Sequence, residues 1–276
     1  CLATGDCFNC RSDTECGFGR VCGSGVCAAA CTSSLSCAVG RECCDGRCTD
    51  LQIDVQHCGV CALSCNSSDF CGSGLCRPAD FSQLCALPTA TVLLDGIPVD
   101  DDAGLSIGAA LASACAPQVT NRSAFQNDAG VLRAVDGEPL QLGELMVLSG
   151  GSFGQRGVRW LDQNAAGELI DTSTPVDLIL TIRDGGVALN VPAVSVSALD
   201  DRVLIQLVRT PSGALVLNTA GFYGEGTVAA ADYFINTVLP NRATLTTRWY
   251  VLRWVDVDAS GGPSVGDTYT VISSGP

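Results

Sequence analysis

Short apolar runs alternate with glycine- and proline-containing turns from residue 89 to the end of the chain. Residues 176–182 and 187–191 are two such runs separated by an Asp-Gly-Gly turn, which predicts a β-hairpin. The same criteria predict further strands at residues 91–96, 131–135, 144–148, 194–199, 203–208, 214–217, 244–255 and 268–272. This part of the chain is therefore predicted to be mainly β.

Two segments follow a helical pattern instead. Residues 105–115 are rich in alanine and end before Pro117, and residues 228–239 place an apolar stripe on one face and end at Pro240. Many short strands with one or two short helices predict a β-sandwich-like fold for residues 86–276. A chain of this length can bury a single hydrophobic core.

Residues 1–85 differ in character, with few large apolar side chains and seventeen of the eighteen cysteines. Two copies of a C-x5-C-x5-C-x4-C spacing are followed by a third, slightly shortened copy. The copies are Cys10, Cys16, Cys22 and Cys27; Cys31, Cys37, Cys43 and Cys48; and Cys61, Cys65, Cys71 and Cys76. We therefore expect a small disulfide-rich repeat domain at residues 1–85, followed by the β-rich domain at residues 86–276.

So little apolar surface cannot offset the backbone entropy lost on folding, about 1–2 kcal/mol per residue. Disulfides, each worth about 2–4 kcal/mol, are expected to replace the core, and they persist only in an oxidising compartment. Structural zinc and a redox-active pair are the alternatives, because Cys7 and Cys10, like Cys58 and Cys61, form C-x-x-C pairs. His57 is the only histidine and neither pair has a βαβ context, which disfavours both alternatives.

Cys85 lies just beyond the last copy, and Cys115 is the only cysteine in the second domain. We predict a disulfide between them that fixes the repeat region to the domain that follows. Cys1 is either the acylated residue of a bacterial lipoprotein or a bridged cysteine, and the even total of eighteen favours the bridge. The spacing does not determine the pairing inside the copies.

Residues 43–50 (CCDGRCTD), followed by Asp54, Cys58, Cys61 and Cys65, resemble the stigma-specific Stig1-like cysteine-rich repeat. The resemblance covers about residues 31–76. It implies a secreted or surface-displayed module, also known from secreted bacterial proteins, and it implies no catalytic residues.

The net charge of −14 and the absence of a basic cluster argue against nucleic acid and anionic membrane surfaces as partners. No apolar stretch is long enough to span a membrane. Lysine is absent, which excludes lysine-based catalysis, and the arginine, alanine and valine bias is typical of a GC-rich bacterial genome.

The best local chemical signal is a twelve-residue loop at 256–267. Oxygen-bearing side chains lie at positions 1, 3, 5, 9 and 12 with glycine at position 6, which is the ligand order of an EF-hand-type calcium loop. The predicted ligands are Asp256, Asp258, Ser260, Ser264 and Asp267. The alternative is an acidic turn between two strands. Residues 100–102 (DDD) are interpreted as a solvated loop, and residues 162–167 as an incomplete copy of the calcium pattern.

Gly150 to Gly154 match the G-x-S-x-G motif of serine hydrolases around Ser152. We expect no helix directly after the motif, and no histidine follows His57, so the serine would lack a general base. His57 is interpreted as an ordinary loop residue. A carboxylate pair for glycoside hydrolysis stays open. Trp249 and Trp254 have opposite strand parity, so one of them is expected to face outward.

These patterns favour a non-enzymatic extracellular or cell-surface protein with a structural or adhesive role, such as a self-assembling filament or coat subunit stabilised by disulfides and calcium. A calcium-dependent module that binds surface glycans or proteins is the first alternative. A hydrolase is the second. The expected partners are further copies of the chain, and neither nucleic acid nor a transmembrane segment is expected.

Overall fold

The computed structural model describes residues 20–23, 26–31, 33, 37, 39–52, 54–66, 69–72, 74–115, 118–123, 131–133, 136–140, 144–183, 185–210 and 212–275. Cys1, Cys7, Cys10 and Cys16, and the predictions made for them, lie outside these residues. The chain divides into two compact units. Residues 1–79, 128–143 and 209–214 form the first unit, and residues 80–127, 144–208 and 215–276 form the second. The first unit thus includes two short segments that the sequence-based division places in the second domain.

Among its described residues, the first unit has three two-stranded antiparallel hairpins. They are β1 (Arg20–Gly23) with β2 (Val26–Ala29), β3 (Glu42–Cys44) with β4 (Arg47–Thr49), and β5 (Asp69–Gly72) with β6 (Leu75–Pro78). In each hairpin the third and fourth cysteines of one repeat copy are directly opposite each other, as Cys43 and Cys48 are in β3 and β4. The second and third copies are therefore each one hairpin preceded by a loop.

Disulfides tie each of the last two hairpins to the loop before it. In the second copy, Cys43 bonds to Cys31 and Cys48 bonds to Cys37, which is a first-to-third and second-to-fourth pattern. The third copy repeats this pattern through the bonds Cys58–Cys71 and Cys65–Cys76.

The first cysteine of the third copy is therefore Cys58, and its assignment to Cys61 is wrong. Cys61 instead bonds to Cys44, so it joins the second copy to the third. The third copy is therefore one residue longer than the other two copies, not shorter. Its first cysteine is the one that bonds to the hairpin, whereas the sequence-based assignment chose the cysteine with the most similar spacing. Among the cysteines whose side chains are described, none is free.

Half-cystines also supply much of this unit's small core. Val55, Cys58 and Cys71 form a buried cluster, and the partly buried Cys65 and Cys76 pack against it. Close backbone packing completes it, since a Cβ on Gly59 would lie 2.4 Å from the carbonyl oxygen of Gly74. The prediction of a disulfide-rich region that folds with almost no aliphatic core agrees with this arrangement.

The second unit is built on a seven-stranded sheet with strand order β16-β15-β13-β14-β9-β7-β8. A separate antiparallel sheet consists of β10, β11 and β12. The strands are β7 (Thr89–Leu94), β8 (Gln118–Ser123), β9 (Leu145–Ser149), β10 (Leu169–Asp171), β11 (Asp177–Ile182), β12 (Val187–Pro192), β13 (Asp200–Arg209), β14 (Leu215–Gly221), β15 (Trp249–Val255) and β16 (Thr268–Gly275). A mainly-β domain after the disulfide-rich region is thereby confirmed.

The sheet is mixed. β14, β9, β7 and β8 run parallel, whereas β15 is antiparallel to both of its neighbours, β13 and β16. The helices are α1 (Pro98–Cys115), α2 (Arg156–Gln163), α3 (Gly224–Tyr233) and α4 (Leu239–Asn241), with a π-helical turn (Phe234–Val238) between the last two. All residues of β9 are buried, which is typical of parallel strands covered on both faces and differs from the alternation of an open sandwich.

Two glycines let α1 lie close to the sheet. A Cβ on Gly108 would come within 2.8 Å of Val92 Cγ2, and one on Gly104 within 3.1 Å of Val92 Cγ1. The helix is seven residues longer at its start than predicted, because Pro98 begins it and carboxylates in its first turn favour the helix N-terminus.

Other sequence-based boundaries also change. Residues 194–199 are not a strand, since a 3₁₀ turn covers Ala193–Ser195 and Val194 is exposed. In the predicted strand 131–135, the described residues form only an isolated bridge between Leu132 and Pro139. Pro240 lies inside the last helical turn instead of ending the helix.

The predicted disulfide Cys85–Cys115 is present, with an S–S distance of 1.93 Å. Both cysteines belong to the second unit, where the bond ties the segment before β7 to the end of α1. Arg242 donates through Nε to Cys85 Sγ (2.8 Å) and through Nη2 to the carbonyl of Ala114 (3.1 Å). The bond therefore stabilises the second unit internally and does not join it to the repeats.

We predict that Gly226→Ala destabilises the second unit, although alanine is normally the better helix former. Gly226 lies in α3, and a Cβ there would come within 1.8 Å of the buried Asp201 Oδ2. Overpacking of this kind costs about 1–3 kcal/mol. Urea unfolding should show this loss, whereas Gly151→Ala, with nothing within 4 Å of the new Cβ, should leave stability within about 0.5 kcal/mol. Equal stability of the two variants would contradict the packing described here.

Candidate functional site

The loop between β15 and β16 brings together three of the predicted calcium ligands. One carboxylate oxygen from each of Asp256, Asp258 and Asp267 lies within 4.8 Å of the others. Asp256 directly follows β15 and Asp267 directly precedes β16, so the hairpin brings the ends of the loop together. Positive φ angles at Ala259 (55°) and Gly261 (82°) turn the chain between them.

Backbone amides of the loop donate to these carboxylates. Ser260 N donates to Asp256 Oδ1 (3.2 Å) and to Asp258 Oδ1 (3.0 Å), and Gly261 N donates to Asp256 Oδ2 (2.8 Å). Val257 N donates to Asp267 Oδ1 (3.0 Å). These N–H groups offset part of the repulsion among three carboxylates and hold them in place.

The two predicted serine ligands have different surroundings. Ser264 Oγ donates to Asp258 Oδ2 (2.9 Å) and lies 3.3 Å from Asp267 Oδ1, so it belongs to the carboxylate group. Ser260 Oγ donates to the carbonyl of Gly262 (2.9 Å), which lies within the loop. Hydrogen bonds from Ser260 and Ser264 lower the pKa of Asp258, which favours its ionised form.

A buried tryptophan connects this group to the sheet. Trp254 in β15 is fully buried, and its Nε1 donates to Asp267 Oδ2 at 3.3 Å. Both Trp249 and Trp254 are buried, so the expectation that one of them faces outward is wrong. The reason is that the sheet is covered on both faces at β15. Trp249 packs with Leu169 and Leu180 of the smaller sheet.

The G-x-S-x-G segment lies in a loop between a strand and a helix, although the sequence predicted no helix after it. β9 ends at Ser149, and α2 begins at Arg156, directly after the segment. The expectation that no helix follows is therefore wrong, because Gly157 obscured a short helix. The partner of Ser152 is the carboxyl group of Asp162 and not an imidazole. His57 belongs to the first unit.

His57 is better ordered than the sequence indicated. It is buried, with Nδ1 3.2 Å from Asp54 Oδ1 and Nε2 3.1 Å from Asp45 Oδ2. His57 therefore links the turn of one hairpin to the loop that precedes the next.

The acidic run at 100–102 is not a solvated loop, which corrects the sequence interpretation. It lies in the first turn of α1, where Asp100 is buried against Gly150. Asp101 Oδ1 accepts hydrogen bonds from the backbone N–H groups of Asp95 (2.8 Å) and Gly96 (3.3 Å). These carboxylates organise the turn between β7 and α1.

Burial strongly perturbs several of the second unit's carboxyl groups. Desolvation raises the pKa of Asp201 to about 7, that of Asp100 to about 6 and that of Asp162 to about 6. In contrast, hydrogen bonds from Arg253 and Arg202 lower the pKa of Asp200 to about 2. Asp162, the start of the incomplete calcium pattern, belongs to no group of three ligands among the described residues.

The cysteine-rich segment relates the chain to known proteins. Its hairpins, paired disulfides and the linking bond Cys44–Cys61 form one continuous block. Residues 28–79 match the Stigma-specific STIG1-like protein family. The resemblance over residues 31–76 is thereby confirmed. No curated protein matches the chain.

The STIG1-like segment and its disulfides are consistent with an extracellular or secreted protein. The match ends before the second unit begins, so it extends neither to the 256–267 loop nor to the main sheet. In the part of the chain that the structure describes, no helix combines the length and apolarity needed to cross a membrane.

We predict that the second unit is more stable at pH 5 than at pH 7.5. A carboxyl group whose folded pKa is raised stabilises the fold at low pH and loses that contribution as the pH rises through the folded value. For Asp100, Asp162 and Asp201 that loss begins near pH 4 and is complete at about pH 7 to 8, so much of it falls between pH 5 and 7.5. The free energy of unfolding from urea titrations should fall by at least about 2 kcal/mol over this interval.

Asp200, whose pKa is lowered to about 2, stays ionised throughout and does not contribute to the change. Asp100→Asn removes one of the titrating groups and should flatten the slope. Stability that is equal or higher at pH 7.5 would show that these carboxyl groups are not desolvated as described.

Proposed function

We propose that the chain is a non-enzymatic extracellular structural or adhesive protein that binds Ca²⁺ in the 256–267 loop. The observation that supports this most is the convergence of the Asp256, Asp258 and Asp267 carboxylates within 4.8 Å. Ca²⁺ prefers six to eight oxygen ligands and tolerates irregular geometry. Three carboxylates, the Ser264 hydroxyl, loop carbonyls and water can supply such a set.

Charge favours the same interpretation. Three carboxylates so close together repel one another, and backbone N–H groups offset only part of that repulsion. A divalent cation bound among the carboxylates would offset the remaining repulsion. Ca²⁺ would then fix the turn of the hairpin that ends the seven-stranded sheet.

A structural role through self-assembly is supported by β16. It is the edge strand of the main sheet, eight residues long, and its sequence TYTVISSG contains no charged residue. Val271 and Ile272 are both more than two fifths exposed. Uncharged edge strands offer unpaired N–H and C=O groups to another strand. A second copy could therefore add its own β16, and calcium in the adjoining loop would hold the strand in register.

A calcium-dependent glycan- or protein-binding module is the alternative function. The same loop supports it, because a loop-bound Ca²⁺ with open coordination positions can accept ligand oxygens. Binding to a glycan array that disappears with EDTA, without self-assembly, would favour this alternative over the structural one.

We predict that Ca²⁺ raises the melting temperature of the second unit by about 5 °C or more at saturating concentration. Asp258→Asn should abolish the shift, since it removes one converging carboxylate at an exposed position. Differential scanning calorimetry with Ca²⁺, with Mg²⁺ and with EDTA measures this. Asp102→Asn, an exposed charge-matched control on α1, should respond to Ca²⁺ as the unaltered protein does. An identical melting temperature in Ca²⁺ and EDTA would refute the calcium site.

We also predict that the native protein forms ordered filaments or sheets in Ca²⁺, and that EDTA disperses them. Val271→Lys, which places a charge on β16, should prevent assembly. Val194→Lys adds the same charge to an exposed position of a 3₁₀ turn outside both β16 and the 256–267 loop, and this variant should assemble normally. Negative-stain microscopy distinguishes these cases, and monomers under every condition would rule out the assembly role.

A further inference from the structure

A small pocket of about 30 Å³ lies at the carboxyl ends of the parallel strands β9 and β14. Its polar lining consists of Ser152, Asp162, Asp171, Arg202 and Asn218. Ligands of α/β sheets bind outside the carboxyl ends of parallel strands. The pocket belongs entirely to the second unit and is separate from the 256–267 loop.

Asn218 provides the first indication of what the pocket binds. Its side chain is 1% exposed, and its Oδ1 has no hydrogen-bond partner among the described residues. A buried acceptor without a hydrogen-bond partner is unfavourable, because it has lost its hydration without gaining a donor. The wall of the pocket therefore presents an oxygen that requires a hydrogen-bond donor.

Two carboxylates lie on the same lining. Asp171 N donates to Asp162 Oδ1 (3.3 Å), which places the two residues side by side. Desolvation raises the pKa of Asp162, and the negative charge of Asp171 raises it further. Asp171 Oδ1 accepts a hydrogen bond from Ser173 N (2.9 Å). The pocket thus combines an unpaired amide oxygen with two adjacent acidic groups.

The pocket's arginine is engaged elsewhere. Arg202 Nη1 donates to Asp200 Oδ1 (2.5 Å) and to the carbonyl of Asp201 (3.2 Å). Arg202 therefore pairs with Asp200, and the charges of Asp162 and Asp171 still need a cation. The lining of the pocket therefore offers more hydrogen-bond acceptors than free hydrogen-bond donors.

We propose that this pocket binds a primary ammonium group supplied by another molecule. An alkylammonium head has three N–H donors and no acceptor. Asn218 Oδ1 and the carboxylates of Asp162 and Asp171 together offer three acceptors of matching polarity. A neutral hydroxyl would leave the desolvated carboxylate of Asp162 and the adjacent charge of Asp171 without a compensating charge.

Size supports the same ligand class. About 10–15 Å³ holds one water molecule, and an ammonium head is of similar size. The pocket therefore admits such a head but not a sugar ring. Residues 1–276 contain no lysine, so this part of a second copy supplies no lysine side chain. The source is a free amine or a lysine of a different protein.

Titration calorimetry with n-butylammonium at pH 7.5 and physiological salt tests the proposal, with n-butanol as the uncharged probe of the same shape. Butylammonium should bind saturably and at least tenfold more tightly than butanol. Asn218→Leu and Asp162→Asn should each weaken butylammonium binding at least tenfold. Asp102→Asn removes an equal charge from the surface and should leave it unchanged.

Chemical-shift mapping of the unaltered protein gives a readout that does not depend on how the variants fold. Butylammonium should shift the backbone amides of Ser152, Asp171 and Asn218, and not those of the 256–267 loop. Nα-acetyl-lysine amide and ethanolamine then separate a protein lysine from a free amine by their relative affinities. Equal binding of butanol, or shifts confined to other acidic surfaces, would overturn the proposal.

Discussion

Covalent cross-linking is the constraint on which the first unit depends. In its cysteine-rich segment the buried large apolar side chains among the described residues are only Leu51, Val55 and Phe70 besides half-cystines, which is less apolar surface than chain entropy requires. Each of the bonds Cys31–Cys43, Cys37–Cys48, Cys58–Cys71 and Cys65–Cys76 spans 11 to 13 residues. In the chain-entropy account, each disulfide that closes a loop of that length adds about 3 kcal/mol to the free energy of unfolding. The hairpins therefore persist because their loops are tethered, and reduction should remove their main source of stability.

The second unit is stabilised in a different way, by burying both faces of a mixed sheet. Two groups of polar side chains lie beside the ends of its strands. The parallel strands β9 and β14 end beside the pocket of Asp162, Asp171 and Asn218. The antiparallel strands β15 and β16 meet at the group of Asp256, Asp258 and Asp267. Two polar groups of different composition thus lie beside two kinds of strand pairing, and we propose that the first binds an ammonium group and the second Ca²⁺.

The sequence predicted those features that depend on local spacing. Cysteine density revealed the disulfide-rich unit, and the order of oxygen-bearing residues at 256–267 located the carboxylates that converge. The pairing of Cys58 was missed because it depends on which sulfur atoms face the hairpin. The spacing of Cys61 was closer to that of the first two copies, so Cys61 was assigned instead. The helix α2 was missed because it is short and contains Gly157. The pocket could not be predicted, because its residues come from separate segments that only the sheet order brings together.

Peptide mass spectrometry of the unreduced native protein tests the central claim that hairpin-tethering disulfides replace a core. The account predicts cross-linked peptides for Cys31–Cys43, Cys37–Cys48, Cys58–Cys71 and Cys65–Cys76, with Cys44–Cys61 joining the two copies. Hydrogen exchange after reduction should then show lost protection in the first unit and retained protection in β9 and β14. Free thiols at these positions, or a first unit that stays protected after reduction, would contradict it.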